Sequence, residues 1–99
     1  MARQINRLSA IKAAALKAPG YYSDGLGLYL QISRSLTKSW VYRFSIDGKK
    51  REMGLGPLHD VSLASARATA LECRSLVREG LDPIDVRKKQ KAIARENSA

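Results

Sequence analysis

The sequence predicts an α+β fold: a three-stranded antiparallel sheet with one helix packed on one face, a short N-terminal helix before it and a basic C-terminal linker helix after it. Three observations carry this. Asp47-Gly48 stands between two runs that read as strands, and Asp-Gly is among the strongest two-residue hairpin signals. Leu28 to Ser33 alternates apolar and polar residues, the period of a half-buried strand. Leu63, Ala66, Ala70, Cys73 and Val77 recur at helical spacing, an apolar stripe wide enough to cover a sheet. A chain of 99 residues can bury one core, so a single domain over 1–80 with a connector over 81–99 is expected.

The elements follow in order. Ser9 is placed to cap a first helix in which Leu8, Ile11 and Ala15 share a face, and Pro19-Gly20 is its expected stop. Ser23-Asp24-Gly25-Leu26-Gly27 is turn chemistry. The first predicted strand is Leu28 to Ser33, followed by a polar loop from Arg34 to Thr37. Lys38 to Ile46, rich in aromatic and β-branched residues, is the second strand. Lys49 to Leu55 is the third, ended by Gly56-Pro57. Ser62 caps the covering helix and Gly80 ends it. Asp82-Pro83 starts the last helix, Asp as cap and Pro at the first helical position. Arg87, Lys88, Lys89 and Lys91 make it basic, and no stop signal precedes Ala99; the expectation is a link toward a further region.

The Asp47-Gly48 turn fixes a register. With those two residues at the tip, Ile46 faces Lys49, Phe44 faces Arg51, Tyr42 faces Met53 and Trp40 faces Leu55, all on one side with Leu28, Leu30 and Ile32. A slip of one residue would turn the aromatics outward, so the register is strongly specified. The other side carries Tyr29, Gln31, Ser33, Val41, Arg43, Ser45, Lys50, Glu52 and Gly54, and no segment is left over to cover it.

Charge narrows the function. Eighteen Lys and Arg against nine Asp and Glu give a net charge of +9, which attracts a polyanion. An apolar fraction of 44% is that of a folded domain and not of a basic disordered tail. Cys73 and His59 are single, which excludes a disulfide framework and a His/Cys metal cage; no cofactor is expected. No run of about 18 apolar residues is present, which excludes a membrane-spanning helix. Met1 to Arg7 lack the apolar run of a secretory signal, so a cytoplasmic protein is expected.

No catalytic set is visible. Asp24, Asp47 and Asp60 are explained by turns and caps, Glu52 by a cross-strand pair with Arg43, and Cys73 by burial. The glycines at 25, 27, 54 and 56 lack the strand-to-helix setting of a phosphate loop. The open sheet face is the informative feature. Arg43 and Gln31 are side chains that can read base edges. Arg34, Lys38, Lys49, Lys50 and Arg51 can meet phosphates, with Tyr29 and Ser45 in support. Trp40, Tyr42 and Phe44 offer either a stacking platform for single strands or a core. Double-stranded DNA, structured RNA and an acidic protein partner all remain open at this point.

The ordered set Ser23-Asp24-Gly25-Leu26-Gly27-Leu28-Tyr29-Leu30, Lys38-Ser39-Trp40-Val41-Tyr42-Arg43-Phe44, Gly48-Lys49-Lys50-Arg51, Met53-Gly54-Leu55-Gly56, Val61 to Arg67 and Gly80-Leu81-Asp82-Pro83-Ile84 resembles the N-terminal arm-type DNA-binding domain of prophage integrases. These are tyrosine recombinases related to those of P4-like phages. The resemblance runs from about Leu8 to about Lys91. It implies a sheet laid in the major groove of arm-type attachment sites with a helix behind it. It also implies assembly with other integrase protomers on DNA, and strand chemistry in a separate catalytic domain, so that this chain is not itself an enzyme. The family's sheet face maps onto Tyr29, Gln31, Arg43, Ser45 and Lys50. Gly20-Tyr21-Tyr22 is a tighter approach to the turn than the family's, and Leu58-His59-Asp60 replaces its aromatic-proline approach to the helix.

Overall fold

The computed structural model describes residues 7–97; the reading of Met1 to Asn6, and the chain's end at Ser98-Ala99, lie outside them. The elements are α1 (Ala10–Ala15), β1 (Gly20–Gly25), β2 (Leu28–Ile32), β3 (Lys38–Ile46), β4 (Lys49–Pro57), α2 (Leu63–Arg78) and α3 (Pro83–Asn97). The sheet is an antiparallel meander in the order β1-β2-β3-β4. The α+β class therefore stands, and the three-stranded count is corrected to four among the described residues.

The added strand has a local cause. Ser23 to Gly27 is not one long turn. The turn is Leu26-Gly27 alone, both at positive φ, 55° and 92°, the sense of a type I′ hairpin. Leucine is a poor turn residue, which is why the hairpin is hard to see in the sequence. Gly27 is required there twice over: beyond its φ, an added Cβ would lie 2.7 Å from the Arg43 carbonyl oxygen and 2.8 Å from the Tyr42 ring. So short a turn leaves Tyr21, Tyr22 and Ser23 free to pair with Gln31, Leu30 and Tyr29.

The β3–β4 hairpin turns at Asp47-Gly48 as expected, and the pairs from Ile46↔Lys49 to Val41↔Gly54 follow the predicted register. A shift in register then puts Trp40 opposite Gly56 instead of Leu55, and β4 runs on to Pro57. The extra residue lets β4 continue past the point where Gly56-Pro57 was expected to end it.

One face of the sheet is covered. Leu28, Leu30, Ile32, Trp40, Tyr42, Phe44 and Met53 form a cluster with Leu63, Ala66, Ala70 and Cys73 of α2. Trp40 is fully buried, and its indole N–H donates to the Val61 carbonyl at 2.7 Å, so the large ring is inserted without an orphaned polar atom. Ser62 caps α2 by accepting from the Ser65 N–H, and its end is closed by Leu81 N–H donating to the Leu76 carbonyl, a Schellman-type closure around Gly80. Ser9 caps α1 as predicted, but α1 ends at Ala15, before Pro19-Gly20. It packs through Ala13, with Leu8 just before it also in the core, whereas Ile11 is 84% exposed.

Asp24 ties the N-terminal segment to this core. The register shift between Ser23 and Gly25 leaves it out of the ladder, and the residue is 2% exposed. It accepts from the Leu8 N–H and from Nε and Nη2 of Arg67, each at 2.9 Å, while Nη2 also donates to the Leu8 carbonyl. A bidentate pair with every group satisfied is the form in which a buried charge is tolerated. The hydrogen bond to Asp24 also holds the Arg67 pKa above its ordinary value.

Candidate nucleic-acid interface

The face away from α2 is built by strand parity. In register, β1 contributes Tyr21 and Ser23, β2 contributes Tyr29 and Gln31, β3 contributes Ser39, Val41, Arg43 and Ser45, and β4 contributes Lys50, Glu52 and Gly54. Toward the β1–β2 turn it carries an Arg43-centred cluster. The guanidinium lies 5.1 Å from the Tyr21 ring centroid and 5.3 Å from that of Tyr29. The two rings meet edge to face at 6.4 Å. Nε of Arg43 is 3.7 Å from a Glu52 carboxylate oxygen across the β3–β4 pair. Two aromatic walls and one carboxylate restrict a long side chain that would otherwise sample many rotamers, so less entropy is lost when it binds. Val41, between Tyr29 and Gly54 in register, is only 4% exposed.

The predicted site residues divide. Tyr29, Gln31, Arg43, Ser45 and Lys50 share the open face. Arg34 is exposed in the β2–β3 loop, and Lys49 is exposed beside the hairpin tip but on the α2 side by parity. Lys38 and Arg51 do not join them. Lys38 pairs with Ile32, on the covered side, and its ammonium donates to the Ala13 and Ala14 carbonyls at 2.9 and 2.6 Å. It satisfies the open C-terminal end of α1. Arg51 pairs with Phe44, again on the covered side, and donates to Asp82 at 2.5 Å, fixing the start of α3. Parity alone puts both residues on the wrong face for a ligand of the open side.

Tyr21 joins this face beside Arg43 although it is not among the sequence-predicted site residues. In the sequence it lies in the approach to a turn, and the signal that points to it is the β-propensity of Tyr21-Tyr22 one short turn upstream of an alternating strand. The platform alternative is answered by burial: Trp40, Tyr42 and Phe44 belong to the core. Cys73 is buried in α2's inner face, and burial pushes its thiol pKa up, away from the thiolate that a nucleophile needs.

A family described as "Arm DNA-binding domain" matches residues 5–90. The chain belongs to that family. It is 37% identical over 89 residues to the integrase of Shigella phage Sf6 and, to the same extent, to the prophage integrase IntS of Escherichia coli (strain K12); in both cases 89% of this chain is covered and 22% of the relative. It is 40% identical over 78 residues to the integrase of Enterobacteria phage P4, covering 77% of this chain and 17% of that protein. The chain thus spans about a fifth of the length of these relatives. The integrase resemblance read from the ordered motifs is borne out, and the chain is a DNA-binding domain of the phage-integrase type.

Proposed function

We propose that this domain binds double-stranded DNA sequence-specifically at the arm-type sites of an attachment region, and so anchors a site-specific recombinase whose strand chemistry lies in a separate catalytic domain. The observation that carries the reading is the Arg43 cluster: a cation flanked by two tyrosines on a largely polar sheet face that α2 does not cover. A β-ribbon can enter the major groove, and arginine's two-pronged fit to guanine O6 and N7 is the commonest specific contact there. Gln31 supplies a fork of the kind that fits adenine. Gln31 lies opposite Ser39, four residues from Arg43 along β3, so the two are roughly 13 Å apart along the strand and would read different base pairs. Lys50, Lys49 and Arg34 meet phosphates; Tyr29 and Ser45 support. Lys38 and Arg51 leave the contact set because their charges are already engaged within the protein.

Partners on this reading are attachment-site DNA and further recombinase protomers assembled on it, in the bacterial cytoplasm. The test is fluorescence anisotropy with a duplex enriched from a random library, a scrambled duplex and a duplex RNA of the enriched sequence, each at several salt concentrations. The enriched DNA binds best, with a steep salt slope. Arg43→Ala loses about 1–3 kcal/mol on the enriched duplex and much less on the scrambled one. Equal losses on both DNAs would remove Arg43 from base reading; equal binding of RNA would transfer the domain to shape recognition of duplexes.

A further inference from the structure

β3 is longer than its neighbour on one side. β2 begins at Leu28, opposite Tyr42, so beyond the Arg43 N–H, which donates to the Gly27 carbonyl at 2.7 Å, β3 runs on with a free edge. Strand alternation turns the N–H and C=O of Ser45 the same way as those of Arg43, away from β4 and toward that edge. A free edge of this kind needs protection or a partner.

Here it forms the floor of a groove. The groove runs from the Gly25–Gly27 turn past Arg43, Phe44 and Ser45 to Lys50 and Arg51, and its far wall is Arg74, Val77 and Arg78 of α2. Of its charged lining residues, Arg43 is matched by Glu52 and Arg51 by Asp82. Lys50, Arg74 and Arg78 have no carboxylate within ion-pair distance among the described residues. Arg74 and Arg78 are one helical turn apart, a like-charge spacing that costs an isolated helix stability. Three unmatched cations and a backbone N–H face one depression that opens directly onto the Arg43 side of the sheet.

The geometry points to a second DNA contact, resting on the reading above: this groove takes the phosphodiester backbone of the strand flanking the bases read by Arg43, with Arg74 and Arg78 of α2 and Lys50 of β4 as its charge partners and the Ser45 N–H as a neutral donor. The helix that supports the sheet from behind thereby also touches the ligand, around the sheet's free edge. Neutral–charged bonds from backbone N–H groups are a regular means of fixing register on a duplex, and they carry no sequence information.

The experiment uses the 99-residue chain carrying Arg74→Gln, Arg78→Gln and both together, with Arg74→Lys/Arg78→Lys as the charge-retaining pair. Circular dichroism and thermal unfolding establish that each is folded; the side chains are not in the core cluster. Affinity is measured against salt for a scrambled duplex and for the library-enriched duplex. Each Gln substitution lowers the salt slope by about one and weakens both duplexes by the same factor, about 3–10-fold. The Lys pair retains the wild-type slope. A wild-type slope in the double Gln variant overturns the groove and leaves the sheet reading intact. A lowered slope with no preference for the enriched duplex in the wild type overturns base reading and leaves the groove. A wild type whose duplex binding has no salt dependence overturns both.

Discussion

The two faces of one sheet carry the same residue types to opposite ends. On the covered face aromatic rings are core: Trp40, Tyr42 and Phe44 pack under α2. On the open face aromatic rings are walls: Tyr21 and Tyr29 flank a guanidinium. The cations divide in the same way. Lys38 and Arg51 on the covered side each close a piece of protein structure, one the end of α1 and the other the start of α3, while Arg43 and Lys50 on the open side are turned to solvent. What separates them is one step of strand parity, so the chemical identity of a basic residue says little about its role until its face is known.

That contrast can be broken at three places, taken from the largest effect to the smallest. Trp40→Ala costs about 3–5 kcal/mol of stability, since it opens a large cavity and strips the Val61 carbonyl of its donor. Chemical denaturation followed by circular dichroism reads it, and DNA affinity falls only as the unfolded fraction grows. Unchanged stability with lost single-strand binding would make the ring a ligand platform and erase the distinction between the faces. Exchanging Lys38 and Lys50 separately for Met sharpens the cation comparison. Lys38→Met lowers stability by about 1 kcal/mol, the worth of a hydrogen-bonded helix end, with an unchanged salt slope for DNA. Lys50→Met leaves the unfolding midpoint in place and lowers the slope by about one. The reverse outcome would mean that parity does not assign the roles. Tyr21→Ala removes one wall of the Arg43 cluster and weakens the enriched duplex by about 0.5–1 kcal/mol, the size of an exposed cation–π contact, with little change on scrambled DNA. Isothermal calorimetry checks it; a loss shared equally by both duplexes would deny Tyr21 a part in orienting Arg43.

Much of this was legible beforehand because it rests on short-range rules. The Asp47-Gly48 turn sets the β3–β4 register from Ile46 to Val41, and from it follow the buried aromatics, the Arg43–Glu52 pair and the outward Ser45 and Lys50; the alternation of β2 adds Tyr29 and Gln31. Caps at Ser9, Ser62 and Asp82 are local hydrogen bonds, and side chains three residues or fewer from their partners are visible in the sequence itself. Tyr21 was not legible, because its strand depends on a Leu26-Gly27 turn that sequence preference does not favour and that the ladder with β2 enforces.

The sequence by itself therefore determined the hairpin, its register, the face that must be buried and the excess of positive charge. Tertiary structure alone decided what each long polar side chain does with its free end. Asp24 joins Leu8 and Arg67, 16 and 43 residues away; Lys38 reaches α1 across 25 residues; Arg74 and Arg78 line one groove with Arg43 and Ser45 of β3 only because of where α2 packs. The reason is reach. Strand alternation and helix period constrain neighbours within a few positions, whereas a flexible cation or carboxylate settles wherever the folded chain leaves it an unsatisfied partner.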